Sequence, residues 1–210
     1  KSKKALDRVT LGNNAFGQGL AVTPLQLVNA FSAIANGGEL LEPKLVRGVG
    51  QGAKQAEPQR IRRVASPETI QTLGRMLESV VEKGTGKTAA VPGYSVAGKT
   101  GTSQKIDPAT RRYSSTDYIA SFAGYVPARE PRFSILVVLD SPKHLYYGAE
   151  VAAPVFAKIA RQALALYGIP PDRPLPVRVQ AAAPATHGLT PPQLRVRQAP
   201  LPRGGGPGIV

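Results

Sequence analysis

The run Gly93-Tyr94-Ser95-Val96-Ala97-Gly98-Lys99-Thr100-Gly101-Thr102 concentrates the groups of this chain best suited to binding or catalysis. Two chemistries fit it. In the first, Gly93-x-x-x-x-Gly98-Lys99-Thr100 satisfies the GxxxxGK[ST] pattern of a phosphate-binding loop, the mark of a nucleotide hydrolase. Ile135-Leu136-Val137-Val138-Leu139-Asp140 would then be the apolar strand whose terminal Asp holds magnesium. Such a loop works because a helix begins at Lys-Thr and aims its N–H groups and dipole at the phosphates. Here Thr100 is followed by Gly101-Thr102-Ser103-Gln104-Lys105-Ile106-Asp107-Pro108, which has no amphipathic period and meets proline early. The approach, Ala89-Ala90-Val91-Pro92, is short and proline-ended rather than a buried strand. Context therefore speaks against the phosphate loop on both sides. Gly84-Thr85-Gly86-Lys87-Thr88 is a weaker echo of the same pattern, with Val81 at its first glycine position.

In the second chemistry the run is an edge strand that binds substrate. Gly101 has no side chain, so a bound peptide can approach the backbone closely. Lys99 supplies a fixed positive charge, and Thr100 and Thr102 place hydroxyls on either side of the glycine. The set suits an extended peptide ending in a carboxylate and added to the sheet by strand pairing. The tripeptide Lys-Thr-Gly alone fits an ordinary strand ending in a glycine turn equally well.

Other site types have little to stand on. There is no cysteine, hence no disulfide framework and no thiolate metal site. His144 and His187 are far apart, and neither lies in an HExxH setting, so no metal and no cofactor is expected. The net charge of +14 fits a basic binding module with an anionic partner. Nucleic-acid binders, however, concentrate such charge in stripes with interleaved aromatics. Here Lys and Arg are dispersed, and the dense run is Lys1-Ser2-Lys3-Lys4, so no nucleic-acid partner is expected. The longest apolar run, Ile135 to Leu139, is far short of the roughly 20 residues of a membrane helix.

The elements that must position this strand are legible from capping and periodicity. Thr23-Pro24-Leu25-Gln26 reads as a capping box with proline at the first helical position. Leu27, Phe31, Ile34 and Ala35 follow helical spacing, and Asn36-Gly37-Gly38 supplies the stop, predicting a helix over 24–36. Residues 48–58 read as a surface loop. Ser66-Pro67-Glu68 opens a second helix with a stripe of Ile70, Leu73, Leu77, Val80 and Val81, closed by Gly84. Extended chain is expected at Tyr94, Val96 and Lys99 to Thr102, then a polar loop from Ser103 to about Asp117. Tyr118 to Val126 and Phe133 to Leu139 read as antiparallel strands joined by a hairpin-length connection. A last helix is expected over 154–167, stopped by Gly168. Beyond Ile169 prolines recur and apolar periodicity vanishes, so 171–210 reads as a Pro/Gly/Arg-rich flexible linker or tail. The order helix, helix, strand, strand, strand, helix predicts an α+β fold: an antiparallel sheet with packed helices.

Lys-Thr-Gly is also the third motif of the serine acyltransferases that include penicillin-binding proteins and β-lactamases. The resemblance extends along the chain in the family's order. Phe16-Gly17-Gln18-Gly19-Leu20-Ala21-Val22-Thr23-Pro24-Leu25-Gln26-Leu27 and Ala33-Ile34-Ala35-Asn36-Gly37-Gly38 resemble segments of class B penicillin-binding proteins. So do Pro92 to Thr102, Tyr118 to Pro127, and Ala153-Pro154-Val155-Phe156. The resemblance implies that residues 1–170 are the C-terminal portion of a peptidoglycan D,D-transpeptidase domain with the β-lactamase-like fold. It implies that Lys99 binds the substrate's terminal carboxylate and tunes a proton network. Thr100 and Thr102 would assist at that carboxylate, and the Thr102 N–H would form half of an oxyanion hole beside Gly101. It implies stem peptides ending in D-Ala-D-Ala and β-lactams as ligands. Cell-wall synthesis or divisome partners would act through upstream regions, and the site would lie on the extracytoplasmic (periplasmic) side of a membrane anchored by an N-terminal segment outside this chain. The family's Ser-x-x-Lys and Ser-x-Asn motifs are absent here, and Ser115-Thr116-Asp117 is a loose echo in the wrong order. Both motifs precede this segment in the family, so this chain alone is expected to be inactive. The nucleotide hydrolase and the basic binding module are the alternatives.

Overall fold

The structure is a computed structural model that describes residues 8–175 apart from 16, 18, 47 and 49–56. Its centre is an antiparallel sheet of three strands in the order β3-β4-β5: β3 (Ala97–Ile106), β4 (Tyr113–Val126) and β5 (Phe133–Asp140). The register sets Ala97 opposite Tyr125, Thr100 opposite Phe122 and Thr102 opposite Ala120; Phe122 in turn faces Val137. Because side chains alternate across a strand, one face carries Phe122, Val126 and Val137, and the other carries Ala97, Ala123 and Tyr125.

Each face has its own helical cover. Helix α5 (Ala153–Leu166) lays Phe156, Ala160 and Leu164 on the first face, where Phe156 meets Phe122 with ring centroids 4.7 Å apart. Helices α2 (Pro24–Ala35) and α3 (Pro67–Glu82) bring Phe31, Ile34, Leu73 and Leu77 to Tyr125 and Ala97 on the second. Sheet and helices segregate as an α+β arrangement requires.

The start signals read from sequence operate as expected. Thr23 caps α2 by accepting from the Gln26 amide at 3.2 Å, while the Gln26 side chain accepts from the Thr23 amide at 2.9 Å. Ser66 caps α3 through the Thr69 amide. Gly37 and Gly38, both at positive φ, end α2, and Gly168, at φ +61, follows α5. The Val126–Pro127 peptide bond is cis.

Several elements depart from the sequence reading. The polar loop expected from Ser103 to Asp117 is mostly strand: β3 runs on to Ile106 and β4 starts at Tyr113, leaving a tight turn. In that turn Asp107 accepts from the Ala109 amide and the Thr110 hydroxyl. This extension is exposed and polar, so no apolar alternation betrays it. A two-stranded ribbon, β1 (Glu39–Leu41) with β2 (Arg60–Arg63), was not anticipated either. Glu39 ties it together by pairing with Arg60 and Arg63. Short helices α1 (Arg8–Ala15) and α4 (Gly148–Val151), and a 3-10 turn at Lys87–Ala89, complete the order. The surface loop expected over 48–58 falls largely outside the described residues, as do Lys1 to Lys4, His187 and positions 176–210 of the expected tail.

Residues 171–175 are held against the body. Arg173 donates to Glu82 at 2.6 Å and pairs with Glu78, both on α3, and its amide donates to the Gly93 carbonyl. These two ion pairs hold the guanidinium pKa above its usual range.

Candidate active site

Lys99, Thr100, Gly101 and Thr102 are consecutive in β3, paired with Ala123, Phe122, Ser121 and Ala120 of β4. Among the described residues β3 has a strand on one side only, so its other edge presents backbone donors and acceptors to solvent. The extended conformation follows from what flanks it. Ala97 and Gly98 are small and buried, and an added Cβ on Gly98 would come within 2.7 Å of the Ala123 carbonyl oxygen. Only glycine lets β3 and β4 approach so closely there.

This geometry bears out the case against the phosphate loop. No helix starts at Lys99; the chain stays in strand through Ile106. The supposed magnesium ligand Asp140 lies at the end of β5 and is occupied by Lys105, whose ammonium donates to it at 2.6 Å. That hydrogen bond and one from Ser141 hold the Asp140 carboxyl below its usual range.

The site's polar groups are ordered by neighbours that sequence reasoning passed over. Lys99 is exposed and has no carboxylate partner among the described residues; its ammonium donates to the Thr100 carbonyl at 3.1 Å and reaches 3.5 Å from the Thr100 hydroxyl. Thr100 shares a 3.0 Å hydrogen bond with the Thr85 hydroxyl. The Thr102 hydroxyl accepts from the Gly148 amide at 3.0 Å. Gly148 rests on the sheet where an added Cβ would run into the carbonyl oxygens of Gly101 and Ser121. The sequence held two signals for these contacts: the Gly84-Thr85-Gly86 run and the lone glycine after Tyr146-Tyr147. Two residues before Gly148, Tyr146 stacks on Tyr118, the cross-strand partner of Gln104, with centroids 4.2 Å apart and planes 15° from parallel. A hydrogen bond to the Tyr147 hydroxyl raises the Tyr146 pKa.

An extended strand edge that gathers a cation without a carboxylate partner among the described residues, two hydroxyls and a glycine gap is chemically suited to an extended peptide ending in a carboxylate. Comparison with known proteins gives the family. The sequence matches the penicillin binding protein transpeptidase domain family over residues 2–161, and the chain belongs to that family. It is 40% identical over 171 residues to stage V sporulation protein D of Bacillus subtilis, covering 79% of this chain and 26% of that protein. It is 38% identical over 187 residues to penicillin-binding protein PbpB of Mycobacterium tuberculosis, covering 82% of this chain and 27% of the relative. Among solved structures, the transpeptidase domain of penicillin-binding protein 3 from Burkholderia pseudomallei superposes with a TM-score of 0.70 at 36% identity, covering 83% of this chain and 52% of that one. Penicillin-binding protein 3 of M. tuberculosis in complex with aztreonam gives 0.67 at 37% identity, covering 79% and 40%. The chain thus spans between a quarter and a third of the curated relatives it matches, with 26% and 27% for the two named here. The nucleotide-hydrolase and basic-module alternatives find no support among these relatives.

Proposed function

We propose that this chain is the distal part of a peptidoglycan D,D-transpeptidase domain, and that Lys99, Thr100, Gly101 and Thr102 hold the substrate's C-terminus. The observation that carries this reading is the open edge of β3, which aligns two hydroxyls and an ammonium that has no carboxylate partner among the described residues around a glycine. Domain organisation follows the same reading: residues 1–170 belong to the catalytic domain and 171–210 to a linker or tail. The flexibility expected of that tail does not extend to Asp172 and Arg173, which are tied to the body.

In the intact enzyme a serine from a Ser-x-x-Lys segment outside these residues is the nucleophile. Its oxygen bonds to the carbonyl carbon of the penultimate D-Ala, and the amide bond to the terminal D-Ala breaks. The leaving amine takes a proton, and Lys99 belongs to the network that moves it. The Thr102 N–H, with the serine's own N–H, stabilises the oxyanion, a contribution of about 3 kcal/mol per donor. Lys99, Thr100 and Thr102 meanwhile hold the terminal carboxylate. An amine of a neighbouring stem peptide then attacks the ester, forms the new amide and returns the serine its proton. β-Lactams take the place of the first substrate; the complexes of a relative with aztreonam and with ampicillin favour this.

Cell-wall synthesis or divisome proteins are the partners this reading calls for, acting through regions upstream. No described helix is long and apolar enough to cross a membrane. The site is proposed to face the extracytoplasmic side of a membrane, where peptidoglycan is cross-linked. The test is to incubate the full-length protein with a D-Ala-D-Ala stem peptide and an amine acceptor. Mass spectrometry should find the cross-linked product with one D-Ala released per bond. Hydrolysis of ATP with no such product would reverse the assignment.

A further inference from the structure

The Gly84-Thr85-Gly86-Lys87-Thr88 run, a failed phosphate loop by sequence, has a position in the fold that gives it a role. It follows α3 and lies beside Thr100. Gly86 is buried where an added Cβ would come within 3.3 Å of the Phe122 ring and 3.1 Å of Val80. Phe122 is the cross-strand partner of Thr100, so seating Gly86 on that ring delivers Thr85 to Thr100. The Thr88 hydroxyl donates to the Ala149 carbonyl and ties the same loop to α4. The residue before, Gly148, donates its amide to the Thr102 hydroxyl. Loop, strand and helix start are therefore linked through three hydrogen bonds that use four threonine hydroxyls.

A hydroxyl carries one proton and two lone pairs. With the Gly148 N–H on one lone pair, the Thr102 proton cannot point at Gly148 and is left to turn outward. Thr100 has the Lys99 ammonium 3.5 Å from its oxygen, which can only donate, and a 3.0 Å contact with Thr85 in which either hydroxyl can be the donor. We propose that Thr85 is a positioning residue which, by donating its hydroxyl proton to Thr100 in concert with the Gly148 amide on Thr102, turns both β3 threonines into outward donors. The edge of β3 is thereby selective for an ionised carboxylate over a neutral C-terminus. This inference rests on the transpeptidase reading above and names what sets the specificity of the same site.

The test uses the full-length protein, a penicillin, and the same penicillin with its carboxylate masked as the methyl ester. Acylation rates are measured for wild type, Thr85→Val and Thr85→Ser, with thermal unfolding alongside. Thr85 is exposed, so valine should leave the melting temperature unchanged. Thr85→Val should lower acylation by the free acid on the order of fivefold to tenfold, the worth of one hydrogen bond. It should leave the ester rate unchanged, and Thr85→Ser should restore the acid rate. In a Thr100→Val background the Thr85→Val change should add nothing further for the acid. Equal losses with acid and ester, no loss with either, or additive losses in the double variant would overturn the proposal. Failure of wild type to be acylated by either compound would overturn the transpeptidase reading and this inference with it.

Discussion

Asp172 accepts hydrogen bonds from both the backbone amide and the side-chain hydroxyl of Ser95, the amide at 2.7 Å. Ser95 is completely buried on the approach to β3, and its hydroxyl oxygen also accepts from the Ala128 amide at 2.9 Å. The residues just past α5 therefore fasten the entry of the site strand to the turn between β4 and β5.

Removing that carboxylate should be felt in stability. Asp172→Ala leaves the buried Ser95 amide without its acceptor, a penalty of about 1–3 kcal/mol. A chain ending at Ile169 should melt lower than one ending at Leu175 by a similar margin. Arg173→Ala should cost less, since its partners are partly exposed, and the loss should shrink in high salt. Thermal unfolding of the four proteins checks this; equal melting temperatures for the two truncations would show that 170–175 stabilises nothing.

The glycines of the site should sort by what faces them. At Gly98 an added Cβ meets the Ala123 carbonyl oxygen at 2.7 Å, a backbone atom that cannot step aside. Gly98→Ala should destabilise by about 1–3 kcal/mol. At Gly101 the close neighbour is the Ser121 hydroxyl oxygen at 2.5 Å, which a rotamer change moves away. Gly101→Ala should fold nearly as well as wild type, and Gly101→Ala with Ser121→Ala better still. Gly148→Ala should break the Thr102 contact, because its Cβ would collide with two carbonyl oxygens. Melting curves rank the first two; a larger loss at Gly101 than at Gly98 would contradict the packing described.

How much of this was legible in the sequence varied with the physics of each element. Helices α2 and α3 announced themselves through Thr23, Pro24, Gln26 and Ser66 because capping is local chemistry. The β4–β5 hairpin was legible through its apolar strands and short connection. The hairpin extension at 103–117 was not, because it is polar on exposed ground and is held by register and by Asp107 rather than by burial. Ribbon β1–β2 was hidden because Glu39 and two arginines unite it across a long sequence separation. The extended character of Lys99 to Thr102 was readable, but not the run of that strand on to Ile106. Its supports, Thr85 and Gly148, left only isolated glycines as signals, since contacts between distant segments leave no periodicity.

Acid should release the contact between β3 and β5. Lys105 and Ser141 hold the Asp140 carboxyl below its usual range in the folded state. The stability from this contact is therefore present above the unfolded carboxylate value, about 4, and is lost as pH falls through the lower folded value. The melting-temperature difference between wild type and Asp140→Asn should be steady at neutral pH and should vanish in acid. A difference that persists unchanged at low pH would mean that the Lys105 ion pair is not its source.

The most direct test of Lys99 as the carboxylate anchor is the rate at which a fluorescent penicillin acylates the full-length protein and its Lys99→Ala variant, read as intact mass. Lys99 is exposed at the strand edge, so the variant should melt like wild type while its acylation slows on the order of a hundredfold. That is the loss expected for one charge-assisted hydrogen bond of about 3 kcal/mol. The 210-residue chain alone should carry no adduct. An undiminished rate in Lys99→Ala, or a stoichiometric adduct on the 210 residues alone, would contradict the assignment of β3 as the substrate-binding strand completed by an upstream serine.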